Sequence, residues 1–295
     1  MSEQYFAIDL GGSFIKFGIL NDRCEVLFKD KIATPKGASI EDLYGVFDEI
    51  IKPLTEKYSI NGIAVSAPGL VTDQGTVKGV SSIPCLHGPN IKADLSARYH
   101  LPVAIENDAN CAALAEVNKG CAQGLDNVLF VVCGTGIGGA VISNGKLHKG
   151  RNLFAGEFGM LVQYDHDKST MRSFSSLAST GNLAIRASEA MGRSLLGLEV
   201  FALADAGDEI CQAHVTSFYN HLATLLTNIQ CAYDPELIVV SGGVTGREQF
   251  GQELEAAIET INKLRGPLAV ETQVKVATFK NDANLIGAVF NLLRQ

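Results

Sequence analysis

The chain has 295 residues, with 46% hydrophobic, 19% charged and 7% aromatic side chains, 30 glycines, no tryptophan and a net charge of −8. Glycine at about 10%, against a usual ~7%, comes without a G-X-Y period and beside ample aliphatic content, which excludes collagen, coiled coil and disorder. The acidic balance disfavours sequence-independent nucleic-acid binding, no apolar run of ~18 residues marks a membrane span, and the length suggests two domains.

The first 33 residues read as three strands. Phe6-Ala7-Ile8 runs into Gly11-Gly12-Ser13, Ile15 to Leu20 continues apolar, Asn21-Asp22 turns, and Val26-Leu27-Phe28 returns. Nothing here has the basic start and apolar stretch of a signal peptide. Ser39, with Asp42 three residues on, predicts a capped helix whose apolar face is Ile40, Leu43, Phe47, Ile50, Ile51 and Leu54. Ile60 to Val65 is a buried strand ended by Pro68-Gly69, and Pro102 to Ile105 is another. Asp108 to Lys119 predicts a helix stopped by Gly120.

The opening pattern then returns. Val128 to Cys133 leads into Gly134-Thr135, and Ala140-Val141-Ile142 continues to an Asn144-Gly145 turn. An offset of 122 positions places Gly12-Ser13 on Gly134-Thr135 and Gly18-Ile19-Leu20 on Ala140-Val141-Ile142. Two repeats this long mean duplicated domains. Further on, His214, Phe218, Leu222, Leu225 and Ile229 mark a long helix ended by Asp234-Pro235, and Leu237 to Val240 is a buried strand. A helix around 248–263 follows, and Asp282 is expected to cap a last one. Strands and helices alternate throughout, so the class is α/β. The seven cysteines include no C-x-x-C pair and read as reduced thiols of a cytoplasmic protein.

Three loops share one design, an aliphatic strand delivered into a turn of small residues: Asp9 to Ser13, Gly134 to Gly139, and Ser241 to Val244. Such turns let backbone N–H groups approach a phosphate with no Cβ in the way. Each alone is also an ordinary turn; three, two of them at repeat-equivalent positions, point to phosphate. Gly134 to Gly139 spells G-x-G-x-x-G, but its sequel Ala140-Val141-Ile142-Ser143-Asn144-Gly145 is a strand into a turn, whereas a dinucleotide site needs a helix there. There is no G-x-x-x-x-G-K-[ST].

These strings resemble a family. Asp9-Leu10-Gly11-Gly12-Ser13, Ser66-Ala67-Pro68-Gly69, Glu106-Asn107-Asp108-Ala109-Asn110-Cys111, Gly134 to Gly139, Gly156-Glu157-Phe158-Gly159 and Ser241-Gly242-Gly243 stand in the order of the ROK-family sugar kinases (repressor, open reading frame, kinase). The resemblance implies a duplicated, ribonuclease-H-like fold of the actin/hexokinase type with an interdomain cleft. It implies an N-terminal α/β domain over 1–107, joined by the C-terminal helix 283–295, and an ATP-binding domain over 108–282. It implies ATP and Mg²⁺ as cofactors, a small sugar as partner, no nucleic acid or membrane, and a homodimer.

Asp108 is then the base that takes the proton of a sugar 6-hydroxyl, although an Asp at that spacing is also an ordinary N-cap. Asn107, Glu157, Pro68, Gly69 and His87 are expected at the sugar, with Glu106 structural. Asp9 is the Mg²⁺ carboxylate, directly or through water. Gly11, Gly12 and Ser13 are expected at the γ-phosphate, Gly134, Thr135 and Gly136 near the β-phosphate, and Gly242 and Gly243 near the α-phosphate or adenosine.

The pattern departs from the family after Gly159. Many members have a His there and then a cysteine-rich zinc loop; here Met160 follows, and Leu161 to Ser176 has no Cys and only His166. No zinc site is expected. A second sugar-binding Glu has no counterpart beyond nearby Ser175 or Ser176. Fewer polar partners on that side admit a substituted anomeric oxygen or a 2-acetamido group, and the zinc-less branch it resembles includes β-glucoside kinases and N-acetylmannosamine kinases. The alternatives are a catalytically silent sugar-binding protein and a ROK repressor, for whose winged helix this chain leaves no room before Tyr5.

Overall fold

The computed structural model describes residues 2–165, 169–266 and 271–295. The chain divides into two compact units. The first runs to Gly120 and takes in Gly150–Phe154 and Asn281–Gln295; the second holds Cys121–Lys149 and Ala155–Lys280.

In chain order the first unit contains β1 (Gln4–Leu10), β2 (Phe14–Asn21), β3 (Val26–Ala33), α1 (Ile40–Thr55), β4 (Ile60–Ala67), β5 (Leu70–Val71), β6 (Val77–Lys78), α2 (Ile91–Tyr99), β7 (Val103–Asn107) and α3 (Asp108–Lys119). The second contains β8 (Val128–Cys133), β9 (Ile137–Ser143), β10 (Lys146–Leu147), β11 (Val162–Asp165), β12 (Thr170–Ser173), α4 (Phe174–Ala178), α5 (Thr180–Met191), α6 (Gly197–Asp205), α7 (Glu209–Tyr233), β13 (Leu237–Ser241), α8 (Phe250–Arg265) and β14 (Val274–Val276). The last helix, α9 (Ala283–Leu293), returns to the first unit. Among the described residues no helix is long and apolar enough to cross a membrane.

Each unit is built on a five-stranded sheet, in the orders β3-β2-β1-β4-β7 and β10-β9-β8-β13-β14. In both, two antiparallel pairs are followed by two parallel ones. The duplication read from the sequence is therefore a duplication of topology. Its register carries one correction. Phe6 pairs with Ile19 and Val128 with Ile142. The offset of 122 that carries Phe6 to Val128 must become 123 to carry Ile19 to Ile142, so the second hairpin holds one extra residue. Gly18 accordingly corresponds to Val141, not Ala140.

The central strand β1 is buried along almost its whole length, whereas the edge strand β3 carries Lys29, Asp30 and Lys31 outward, which protects an open sheet edge. Helix α1 begins at the expected capping box: Ser39 Oγ accepts from the Asp42 N–H, and the Asp42 side chain accepts from the Ser39 N–H. Its stripe Leu43, Phe47, Ile50, Ile51 and Leu54 joins Phe6, Ile8 and Val65 in one core.

The unit boundary falls after Gly120, not after Asn107, because α3 packs against α9 and on the strands of the first sheet. The helices meet backbone to backbone at Gly287, where any Cβ would collide with the Cys111 carbonyl. Asp282 occupies the cap position of α9, but its side chain makes no cap bond. It is drawn instead to Lys29, whose Nζ donates to both carboxylate oxygens at 2.9 and 2.8 Å.

Candidate active site

In the first unit, the register aligns Asp9, Ser66 and Glu106 across β1, β4 and β7, at the C-terminal ends of three neighbouring parallel strands. Open α/β sheets bind ligands at that edge. Strand β7 ends at Asn107, and α3 starts at the next residue. Asn107 is the N-cap, its Oδ1 accepting from the Asn110 N–H at 3.1 Å. Asp108 is therefore not consumed in capping, the ordinary role its spacing allowed.

The Asn107 amide donates to the Gly69 carbonyl at 3.0 Å and to Asp108 Oδ1 at 2.9 Å. Asp108 Oδ1 also accepts from the Ala109 N–H at 2.8 Å. Among the described residues nothing donates to Oδ2. Burial pushes the Asp108 pKa up to about 6, and the Asp9 charge adds to this; the bonds from Ala109 and Asn107 pull the other way. A carboxylate poised near neutral with one oxygen free has the form of a general base. Glu106 Oε1 accepts from the Asn107 N–H and Asn110 Nδ2, which fixes the turn.

Gly69, at φ +103°, leaves no room for a Cβ between Val77 and the Lys78 carbonyl, and the His87 ring lies beside it. His87 Nε2 is 3.0 Å from Ser81 Oγ, and its buried Nδ1 has no partner among the described residues. Pro68 precedes Gly69, part-buried. The structure thus gathers Gly69, His87, Asn107 and Asp108 around one strand end.

Asp9 is 4% exposed. Its Oδ1 accepts from Ser66 Oγ and Asn284 Nδ2, both at 2.9 Å, and its Oδ2 from Lys16 Nζ at 3.3 Å. Sequence reading missed Lys16 and Asn284. Lys16 was legible in principle as the residue a β1–β2 hairpin places opposite Asp9; Asn284, 275 residues away, was not. In the loop, the Gly11 N–H bonds the Phe14 carbonyl, and Thr34 holds the Gly11 and Ser13 carbonyls. The N–H groups of Gly12 and Ser13 bond nothing among the described residues and stay available to an anion. Gly12 also borders a cavity of about 490 Å³, walled by the 34–38 and 82–85 loops.

The second unit holds the other two glycine loops. The Gly134 N–H bonds the Gly136 carbonyl at 2.9 Å, and the Gly134 carbonyl accepts from Thr180 Oγ1 at 2.8 Å and the Gly181 N–H at 3.1 Å. The loop is thereby pinned to the N-terminus of α5, where helix N–H groups and dipole favour an anion. Gly242, at φ +115°, presses on the Cys133 carbonyl, where no side chain fits. A cavity of about 380 Å³ brings Gly134 and Thr135 together with Gly243, Thr180, Gly181, Leu196, Leu198 and Phe201. Gly242, packed on Cys133, and Gly136, beside Ser175, are not among the residues that line it. The residues from α5 and α6 were missed; the local signal that could have found α5 is Ser179, whose side chain caps it by accepting from the Asn182 N–H.

Glu157 sits in a turn pressed against β9 through Gly156 and Gly159, each too close to the strand backbone for a Cβ. Its half-buried carboxylate accepts no hydrogen bond among the described residues, and burial raises its pKa. Ser175 Oγ is occupied with the backbone of Ile137, and Ser176 Oγ donates to the Ser173 carbonyl. Both hydroxyl protons are thus committed to backbone carbonyls, and neither serine supplies a carboxylate in place of the missing Glu. Met160 is 61% exposed. The β11–β12 ribbon fills the stretch where a zinc loop would stand, and His166 lies outside the described residues.

The sequence model of the ROK family matches residues 5–295. The chain belongs to the ROK family. It is 37% identical over 297 residues to a β-glucoside kinase of Listeria monocytogenes, covering 98% of this chain and 97% of that one. It is 33% identical to a β-glucoside kinase of Klebsiella pneumoniae, covering 97% and 94%. The structure of a ROK family protein from Streptococcus pneumoniae in complex with sucrose superposes with a TM-score of 0.90 at 36% identity, over 99% of this chain and 98% of that one. The two repeated units are thus the actin/hexokinase-like ATPase fold of this family.

Proposed function

We propose that this ROK protein is an ATP-dependent sugar kinase that phosphorylates the 6-hydroxyl of a hexose or hexoside, with a β-glucoside as the favoured substrate. The observation that carries the reading is Asp108: a carboxylate raised by burial to about 6, held by two donors on one oxygen and, among the described residues, bare on the other. Phosphoryl transfer asks the protein to position the reactants, accept one proton and spread charge over the phosphates. Asp108 Oδ2 accepts the hydroxyl proton as the sugar oxygen attacks the γ-phosphorus, and the bond from that phosphorus to the β,γ-bridging oxygen breaks, with ADP leaving. Asn107 holds that carboxylate in orientation, since its amide is already divided between Gly69 and Asp108. Glu157 accepts a sugar hydroxyl, replacing the hydrogen bond it lacks.

The free N–H groups of Gly12 and Ser13 receive the γ-phosphate, and Gly134, Thr135 and the α5 N-terminus the β-phosphate region. Asp9 fits magnesium: a buried hard-oxygen donor whose Oδ2, among the described residues, is held only by a long contact to Lys16. Among the described residues no group of three or more His, Cys, Asp or Glu could hold a metal, but Mg²⁺ needs only one or two carboxylates when phosphates and waters complete its shell. When bound it supplies charge neutralisation on the β- and γ-oxygens. No step calls for zinc.

The β-glucoside preference is supported by the two relatives named for it and by Met160, which brings no polar group to the anomeric side. The test is ADP release over glucose, fructose, mannose, N-acetylmannosamine, N-acetylglucosamine and cellobiose, with phosphate position read by NMR. Turnover of cellobiose above glucose supports the reading; turnover of none of them overturns it. A homodimer in the cytoplasm, carried from the family, is checked by light scattering and fractionation.

A further inference from the structure

Lys16 stands directly opposite Asp9 in the β1–β2 ladder, so the two side chains leave the same face of the sheet. Asp9 is almost fully buried, and a carboxylate taken out of water needs a counter-charge or strong donors. Of its three donors among the described residues two are neutral, Ser66 and Asn284, and both sit on Oδ1. Lys16 is its only cationic partner among the described residues, and it alone touches Oδ2.

That contact is built loosely. At 3.3 Å to a single oxygen it is longer than the ~2.7–2.9 Å of a strong charged hydrogen bond. The surface pair Lys29–Asp282, by comparison, engages both oxygens at 2.9 and 2.8 Å. The Lys16 side chain is 37% exposed, so its flexible stem can carry the ammonium away without crossing protein. The available oxygen of Asp9, the one the proposed magnesium must use, is thus already occupied by a removable charge.

We propose that Lys16 is the stand-in cation of the Asp9 site: it neutralises Asp9 in the ligand-free protein, is displaced from Oδ2 when magnesium-nucleotide binds, and then turns its ammonium to the phosphates. This rests on the reading of Asp9 as the magnesium carboxylate. It gives the residue two jobs, holding the empty site together and keeping bare Mg²⁺ out until phosphate brings extra charge.

The test uses melting temperatures of the full chain without sugar or nucleotide, with and without millimolar Mg²⁺. Lys16→Met keeps the stem and removes the charge. The ligand-free variant is expected to melt several degrees lower, about 3 °C or more. Mg²⁺ alone is expected to recover most of that loss while leaving the wild type unmoved. Lys16→Arg restores the ligand-free melting temperature. The double variant Asp9→Asn/Lys16→Met, which removes both charges, melts above Lys16→Met and no longer responds to Mg²⁺. If Lys16→Met does not fold, recovery of folding in the double variant carries the same information. Equal Mg²⁺ responses in wild type and Lys16→Met, or a double variant no more stable than Lys16→Met, overturn the proposal. These readouts need no turnover, so they fail or succeed independently of the sugar panel.

Discussion

Asp108 is held ionised above pH 6 at a cost in stability, and Asp108→Asn measures it. Its pKa stands at about 6 in the folded protein against 3.8 for the free side chain. A carboxyl whose folded pKa is raised favours the folded state only while protonated; that contribution is complete below pH ~4 and is lost as pH rises through 6. At ~1.4 kcal/mol per pKa unit, the ionised group lowers stability by up to about 3 kcal/mol at pH 7.5. Asparagine keeps Oδ1 as acceptor for Asn107 and Ala109 but cannot ionise. The variant should therefore melt higher than wild type at pH 7.5, by a few degrees and at most roughly 10 °C. The gap should shrink steadily toward pH 4.5, and other titrating groups cancel in the difference. Sugar-dependent ADP release should fall ~10²–10⁴-fold, while wild-type kcat/KM rises with pH through about 6. Calorimetric scans across that pH range decide it: a gap that is independent of pH, or of opposite sign, refutes the burial argument. Near-wild-type turnover refutes the assignment of the base.

Three further outcomes follow from particular contacts. Gly287→Ala drives a methyl into the Cys111 carbonyl and levers α3, which carries Asp108; urea melts should show a loss of about 2 kcal/mol or more together with lower kcat. Glu157→Gln removes an unpartnered charged acceptor, so the sugar KM should rise roughly 10–100-fold with nucleotide affinity by calorimetry unchanged. Beyond Thr135 and Thr180 the cavity of about 380 Å³ is walled by glycine and by Ala184, Leu196, Leu198, Phe201 and Val244, and among the described residues no other polar side chain lines it to read a base edge. GTP and ITP should then serve within about tenfold of ATP, and discrimination beyond ~10³ would place backbone groups against the base.

Much of this protein was determined by local sequence. The glycine loops, the capping box at Ser39 and the apolar stripe of α1 are short-range patterns that became structural elements where they were read, and the doubling of the opening motif became a doubled topology with its register shifted by one residue. The END string at 106–108 likewise marked a strand-to-helix turn, since an Asn or Asp before a helix is a local signal. What the turn does with its two side chains was only partly local. Asn107 caps through Asn110, three residues on, but only the closeness of the Gly69 carbonyl shows that it also braces the turn, and only burial in the folded chain raises the pKa of Asp108. The same holds for Asn284 on Asp9, brought there by a helix from the far end of the chain, and for the cavity wall from α5 and α6. It holds for Asp282, whose local role as a cap lost to a lysine 253 residues away. Hydrogen bonds within three or four residues can be read from spacing. Desolvation, and bonds that close long loops, exist only once the sheet has brought their partners together.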